Sequence, residues 1–370
     1  MKLLLARCCL LILSLAPLHS FAQSFLRIAD SVRISRSVPG LVYAVFTSDS
    51  ILDEGACGFR KYKTKDGLRI TDRFDIGLNT AAFTSYIAAK MVEDKKIKWD
   101  TKLLDVFPDL KKTAFPVYKN LNLVDLLSNR TAVPLLTDMT DLSSIPEMDG
   151  ATMSSKRRQF TAFMVKQKPF MDNAISKKIA FSIAGYVMAT SMLERVAGKN
   201  WEALVNEYLN VPLGITIKYG WPFMTDSTAP AGHWMQGNYF HSEEANKWVR
   251  ANPILYPAHH INISLPDYIK FMQENLSGLN GRKAHLAKET FEYLHYGLLD
   301  YSLGWCNGTL DDYSYSFHEG LSFLYNCRAV IIKEKNIGII VMCNSGDSDG
   351  RGAVLNLTRI LESYYLRKEM

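Results

Sequence analysis

A hydroxyl three residues ahead of a lysine on a helix puts nucleophile and amine one turn apart on one face. That arrangement suits attack on a carbonyl carbon, with the amine taking the proton. In this chain no serine or threonine stands three residues before any lysine. The remaining hydroxyls lack an evident base. Thr80 is followed three residues on by Phe83, so helix capping is its expected role together with Asn79. Ser85 falls two turns beyond Leu78, on a face expected to be buried, and Ser182 sits among apolar neighbours. His318-Glu319-Gly320 is the best-placed polar cluster. The imidazole can bind or shuttle a proton, the glycine lets a backbone approach closely, and Ser322 and Tyr325 follow within reach of the same ligand. His233 and the pair His259-His260 suggest metal ligation. Their near carboxylates, Asp267 and Glu243, have no compact ligand spacing, so no metal and no cofactor are expected.

These residues need elements to hold them. Leu41 to Thr47 and Ile51 to Phe59 are β-rich runs around the turn Ser48-Asp49-Ser50. Helical spacing is read over Ala81 to Lys96, Leu121 to Leu127, Ile179 to Ala197, Trp201 to Leu209 and Leu265 to Leu276. Strands return at Ser302 to Cys306, Tyr313 to His318, Ser322 to Ile332 and Ile337 to Cys343, and a helix over Gly352 to Leu366 closes the chain. Strands at both ends of one domain must share a sheet, and turn-joined strands make it antiparallel. A loop of four residues, Lys333 to Asn336, would set Cys327 opposite Met342 and turn Cys343 to the other face. A loop one residue different would align Cys327 with Cys343 for a disulfide. Free thiols are the favoured reading.

Composition bounds the rest. Of 370 residues, 48% are hydrophobic and 22% charged, which excludes a disordered tail or a coiled-coil rod. The net charge of +6 is spread along the chain without a basic block, which argues against nucleic acid as a partner. Lys2 and Arg7, an apolar run from Cys8 to Leu18, and Ser20-Phe21-Ala22 have the layout of a secretory signal peptide cut after Ala22. The run is short for a membrane span, so the mature chain is expected to be secreted or periplasmic with no span. One domain over 23–370 is expected, with a sheet lobe near 24–76 and 300–370 and a helical lobe near 77–299.

Several segments, in order, resemble the serine β-lactamase and penicillin-binding superfamily, in the branch of class C β-lactamases, D-Ala-D-Ala carboxypeptidases and related esterases. They are Pro39-Gly40, Asp72 to Gly77, Ile97 to Lys111, Leu126-Leu127-Ser128, Gly198-Lys199-Asn200-Trp201, Val211 to Ile215, His318-Glu319-Gly320 and Gly338 to Asn344. The resemblance implies a mixed α/β (α+β) fold of β-lactamase/transpeptidase type: an antiparallel sheet flanked by helices, with an inserted helical lobe. It implies a serine and a lysine in an S-x-x-K spacing, a Tyr-x-Asn loop, and a His-x-Gly strand gripping the substrate.

The sequence departs from that pattern where the chemistry resides. Leu78 and Ala81 stand at the serine and lysine positions, and Phe181 and Ile183 at those of the tyrosine and asparagine. The pattern Ser-His-Thr-Ser-Gly-Leu appears as Ser128 to Val133 and loses its glycine. Four polar catalytic positions turned apolar together favour a secreted pseudoenzyme. On this reading no residue is catalytic, the old site is a plugged or apolar pocket, and His318, Gly320 and Ser322 remain for ligand binding. A peptidoglycan fragment, a peptide or an envelope protein is the implied partner. The alternatives are an active esterase or peptidase with a non-standard nucleophile, and a structural role in the envelope.

Overall fold

Strand β1 (Gly40–Phe46) is apolar throughout and buried at all seven positions. A strand that does not alternate must be covered on both faces, and the computed structural model shows how. It describes residues 18–137, 145–170, 178–236, 239–241 and 252–367. The other strands are β2 (Ile51–Gly58), β3 (Arg73–Asp75), β4 (Lys218–Tyr219), β5 (Trp234–Gln236), β6 (Tyr239–His241), β7 (Ile261–Ser264), β8 (Cys306–Leu310), β9 (Tyr313–Leu321), β10 (Asn326–Ile332) and β11 (Ile337–Cys343). Six of them form one antiparallel sheet in the order β2-β1-β11-β10-β9-β8. The two ends of the chain meet at its centre, where Leu41 lies opposite Cys343 and Phe46 opposite Gly338. A Cβ on Gly338 would overlap the Phe46 ring.

The principal helices are α1 (Leu18–Ser35), α2 (Thr80–Glu93), α3 (Met153–Met164), α4 (Ile183–Ala197), α5 (Leu265–Leu279), α6 (Lys288–Tyr296) and α7 (Ser348–Arg367). Alternate β1 side chains divide between two cores, as the period of a strand requires. Leu41, Tyr43 and Val45 pack with α1 and α7. Val42, Ala44 and Phe46 pack with α2 and α5, in a core that continues into the helices inserted between the halves of the sheet. Arg157 on α3 is wholly buried. Its guanidinium meets Glu194 of α4 at 2.6 Å and Glu202 of the Trp201–Val205 helix at 2.6 Å, so three inserted helices share one ion-paired joint. Among the described residues no helix is long and apolar enough to cross a membrane. Of the expected leader, 1–22, residues 1–17 lie outside the described residues, and α1 begins at Leu18 and runs through Ala22.

Local chemistry moves several expected boundaries. The helix expected from Ile179 starts at Ile183, because the Ser182 hydroxyl caps it by accepting from the Ala184 N–H. The strand expected over Ser302 to Cys306 begins instead at Cys306, because Gly304 takes a left-handed backbone (φ +84°) against helix α2. Residues 322–325 make the turn into β10, closed by the Ser322 N–H on the Tyr325 carbonyl, so the strand expected from Ser322 begins at Asn326. The four-residue loop at Lys333–Asn336 sets Cys327 opposite Met342, and Cys343 lies in the other core. All four cysteines of the described residues are free.

A second, small sheet has the order β3-β7-β4. It delivers Ile76 and Gly77 against the end of β9. The contact is tight enough that a Cβ on Gly320 would overlap the Ile76 carbonyl oxygen. Gly320→Ala should therefore force β9 and the start of α2 apart. A loss of about 1–3 kcal/mol in chemical denaturation is expected, as for overpacking a core.

Candidate functional site

Gly77 to Asn79 form a single 3-10 turn leading into α2. Thr80 does not cap the helix as expected. Its hydroxyl donates to the Gly77 carbonyl at 2.7 Å and accepts from the Ile261 N–H at 3.1 Å, pinning α2 to β7. Asn79 does not cap by its side chain either, since its amide donates to Cys327 Sγ at 3.1 Å. Leu78 and Ala81 line one side of a cavity. Phe181 and Ile183, at the start of α4, line another, and Tyr301 and His318 complete it. The structure thus gathers the four apolar positions singled out in the sequence around one space of about 80 Å³.

Several of its polar groups are engaged with neighbours. The Tyr186 hydroxyl donates to the Leu127 carbonyl at 2.5 Å and meets the Tyr301 hydroxyl at 2.9 Å. Burial pushes both phenols up, so both stay protonated. Phe181 sits edge-on to Tyr301 with centroids 5.0 Å apart. Ser182 donates to the Pro134 carbonyl at 2.8 Å besides capping α4, and Ser85 faces the Tyr186 hydroxyl at 3.5 Å. His318 turns Nδ1 to the Glu319 carbonyl at 3.0 Å, and burial pushes its pKa down to about 4. Among the described residues no lysine and no carboxylate lines this cavity.

A larger chamber of about 390 Å³ adjoins it, sharing Leu78, Thr137 and Ile183 and adding Trp234, His259, His260, Ser322 and Phe323. Behind its wall lies Asp75, fully buried. The Asp75 Oδ2 atom receives His260 Nδ1 at 2.7 Å and the Ser322 hydroxyl at 3.1 Å, and Oδ1 receives the Gly77 N–H at 2.8 Å. Burial works to raise this carboxyl, but His260 beside it, with help from His259 and the Gly77 N–H, holds it below the usual carboxylate range. The order is hydroxyl, carboxylate, imidazole. A nucleophilic triad needs the imidazole between the other two, so His260 is not placed to take the Ser322 proton.

Other sequence candidates fall elsewhere. Gly320 serves the β9 contact and lines neither cavity. Tyr325 is buried with its hydroxyl on the Pro230 carbonyl. His233 bridges the Asn344 carbonyl and the Tyr62 N–H, away from His259. Asp267 accepts from the Thr216 N–H in the first turn of α5, while Glu243 lies outside the described residues. The carboxylate beside the His pair is instead Asp75, about which local spacing is silent. Tyr186 had a signal, standing three residues after Ile183 on the same helical face. Tyr301 had none.

Residues 24–362 match the sequence profile of the family described as Beta-lactamase. The chain belongs to the β-lactamase family. Two solved structures resemble this β-lactamase-family chain in fold. An octameric penicillin-binding protein homologue from Pyrococcus abyssi is 16% identical with a TM-score of 0.72, over 92% of this chain and 77% of that one. A D-amino acid amidase from Ochrobactrum anthropi is 16% identical with a TM-score of 0.73, over 94% and 99%. A curated relative, the unguisins hydrolase of Aspergillus violaceofuscus, is 23% identical over 189 residues, which make up 49% of this chain and 31% of that protein. The chain therefore spans about a third of the length of that relative.

Three buried histidines give this family member a pH signature. Burial pushes His233 and His318 down to about 4 and His295 to about 3. Each is neutral when folded and takes a proton once unfolded, where the ordinary value is 6.5. The stability these three histidines contribute is therefore full above about pH 6.5 and is lost as pH falls toward about 4. In calorimetry at pH 5 in buffers of different ionisation enthalpy, His318→Asn should take up about one proton fewer on unfolding than the wild type.

Proposed function

We propose that this protein is an exported member of the β-lactamase family that no longer carries out the family's acyl transfer and acts by binding. One observation carries the reading. Leu78, Ala81, Phe181 and Ile183 converge on a single cavity that, among the described residues, is lined by no lysine and no carboxylate. The hydroxyls of Ser182, Tyr186 and Tyr301 in its lining are committed to backbone or phenol partners. An apolar replacement at each family position stabilises such a site, since a buried polar group without a partner costs about 1–3 kcal/mol. The layout of residues 1–22 supports export to the periplasm or beyond.

The ligand belongs in the larger chamber. A space of about 80 Å³ falls well below the roughly 300–1,000 Å³ common to small-molecule sites. The adjoining chamber, about 390 Å³, falls within that range. Its walls combine Trp234, Leu255 and Phe323 with His259, His260 and Ser322. That mixture suits a short peptide or the peptide stem of a peptidoglycan fragment, with an apolar side chain against the rings and its polar backbone toward the imidazoles.

The second reading, an active hydrolase, has one observation in its favour: Ser322 is a hydroxyl on the chamber wall already bonded to a carboxylate. Covalent labelling separates the two. Incubation with a β-lactam or a fluorophosphonate probe is expected to leave the protein unlabelled, and stoichiometric labelling would overturn the binding-only reading. Combining Leu78→Ser, Ala81→Lys, Phe181→Tyr and Ile183→Asn should confer measurable ester hydrolysis. Muropeptides or short peptides should raise Tm in a thermal-shift series, as any ligand of the folded state does.

A further inference from the structure

We propose that Asp75, His259 and His260 form a binding site for a divalent transition-metal ion, zinc foremost, in the wall of the larger chamber. One donor atom from each residue lies within 4.8 Å of the others, and all three residues are buried. Tetrahedral coordination at about 2.0–2.1 Å places neighbouring donors about 3.4 Å apart, so small side-chain movements would close the set on an ion. Two imidazoles and a carboxylate form a ligand set typical of zinc sites that keep a fourth position open. Here that position would face the chamber lined by both histidines.

Two independent observations point to an ion rather than to packing. The first is the state of His259. Its Nε2–H donates to the Leu321 carbonyl at 2.9 Å, which leaves the lone pair on Nδ1. That Nδ1 is buried and has no hydrogen-bond partner. A ligating histidine has this arrangement, with one nitrogen tied to a backbone carbonyl and the other presenting its lone pair to the metal. The second is the backbone of His260, which adopts φ +82°. Non-glycine residues are uncommon there, and such backbone collects at functional sites. Glycine would satisfy that backbone at no steric cost, yet the position holds an imidazole aimed at Asp75. The Asp75 carboxylate keeps the Gly77 N–H and the Ser322 hydroxyl as orienting partners when its contact with His260 opens to admit the ion.

The proposal does not depend on whether acyl transfer is lost, and its test reads metal directly. The metal-free mature chain is titrated with zinc by calorimetry. One ion per chain is expected. His259→Gln keeps a donor for the Leu321 carbonyl, and His260→Asn keeps both tolerance of positive φ and a donor for Asp75. Each should weaken zinc binding by at least about tenfold. His285→Ala, which removes an exposed histidine beside Glu274, should leave it unchanged. Absence of zinc binding by the wild type overturns the proposal, as does binding that survives both variants. X-ray absorption of the zinc-loaded wild type supplies a reading that needs no variant. Two imidazoles with oxygen donors support the site; a single imidazole or a sulfur ligand overturns it.

Discussion

The pairing of β1 with β11 is the constraint on which the rest of this molecule depends. Six consecutive residue pairs, from Leu41–Cys343 to Phe46–Gly338, join strands almost 300 positions apart in the chain. Once that ladder forms, everything between is an excursion that must leave the sheet and return to it. The excursion leaves through β3 and α2 and comes back through β8 and β9. The cavities lie where departing and returning segments touch, at Leu78 on one side and His318 on the other. The position of the cleft thus follows from chain closure, whatever side chains line it.

Within that geometry apolar and polar side chains are segregated. Leu78, Ala81, Phe181 and Ile183 bring no hydrogen-bonding side chain to the smaller cavity, and the polar groups beside them bond to one another and to the backbone. Tyr186 and Tyr301 bond to each other and to the Leu127 carbonyl, and Arg130 ties the Ser128–Arg130 turn to the Leu299 and Tyr301 carbonyls at 2.6 Å each. These are bonds between neutral or permanently charged groups, which rigidify without offering a proton at neutral pH. The smaller cavity has the polarity of a core, and the larger one that of a binding pocket.

Segments whose signal is local were legible in the sequence. β11 is apolar at every position, the polar run Lys333–Asn336 marks the β10–β11 hairpin, though its register was open, and Gly198 stops α4 where expected. Helix α3 escaped notice because its sequence is mostly polar; it is held by Arg157, whose two carboxylate partners lie 37 and 45 residues away. The cluster of Asp75 with His260 escaped for the same reason on a larger scale, since 185 residues separate them. Asp267 and Glu243 were nearer in sequence and therefore drew attention. The apolar site positions were found because the residues around them keep a recognisable order. Their convergence on one cavity required the fold.

A strand with one wet face has its register set by polarity, because a slip of one residue would bury charges and expose hydrocarbon. At the centre of this sheet that rule has nothing to act on, since β1 and β11 are apolar on both faces. Shape must then distinguish the cores. Phe46 fits only where its neighbour on β11 lacks a side chain, which Gly338 provides. The irregularity between Val45 and Phe46 in the pairing with β2 marks the same spot on the other edge of β1. The alignment of the two chain ends is therefore encoded in volume, at one ring and one missing methyl group.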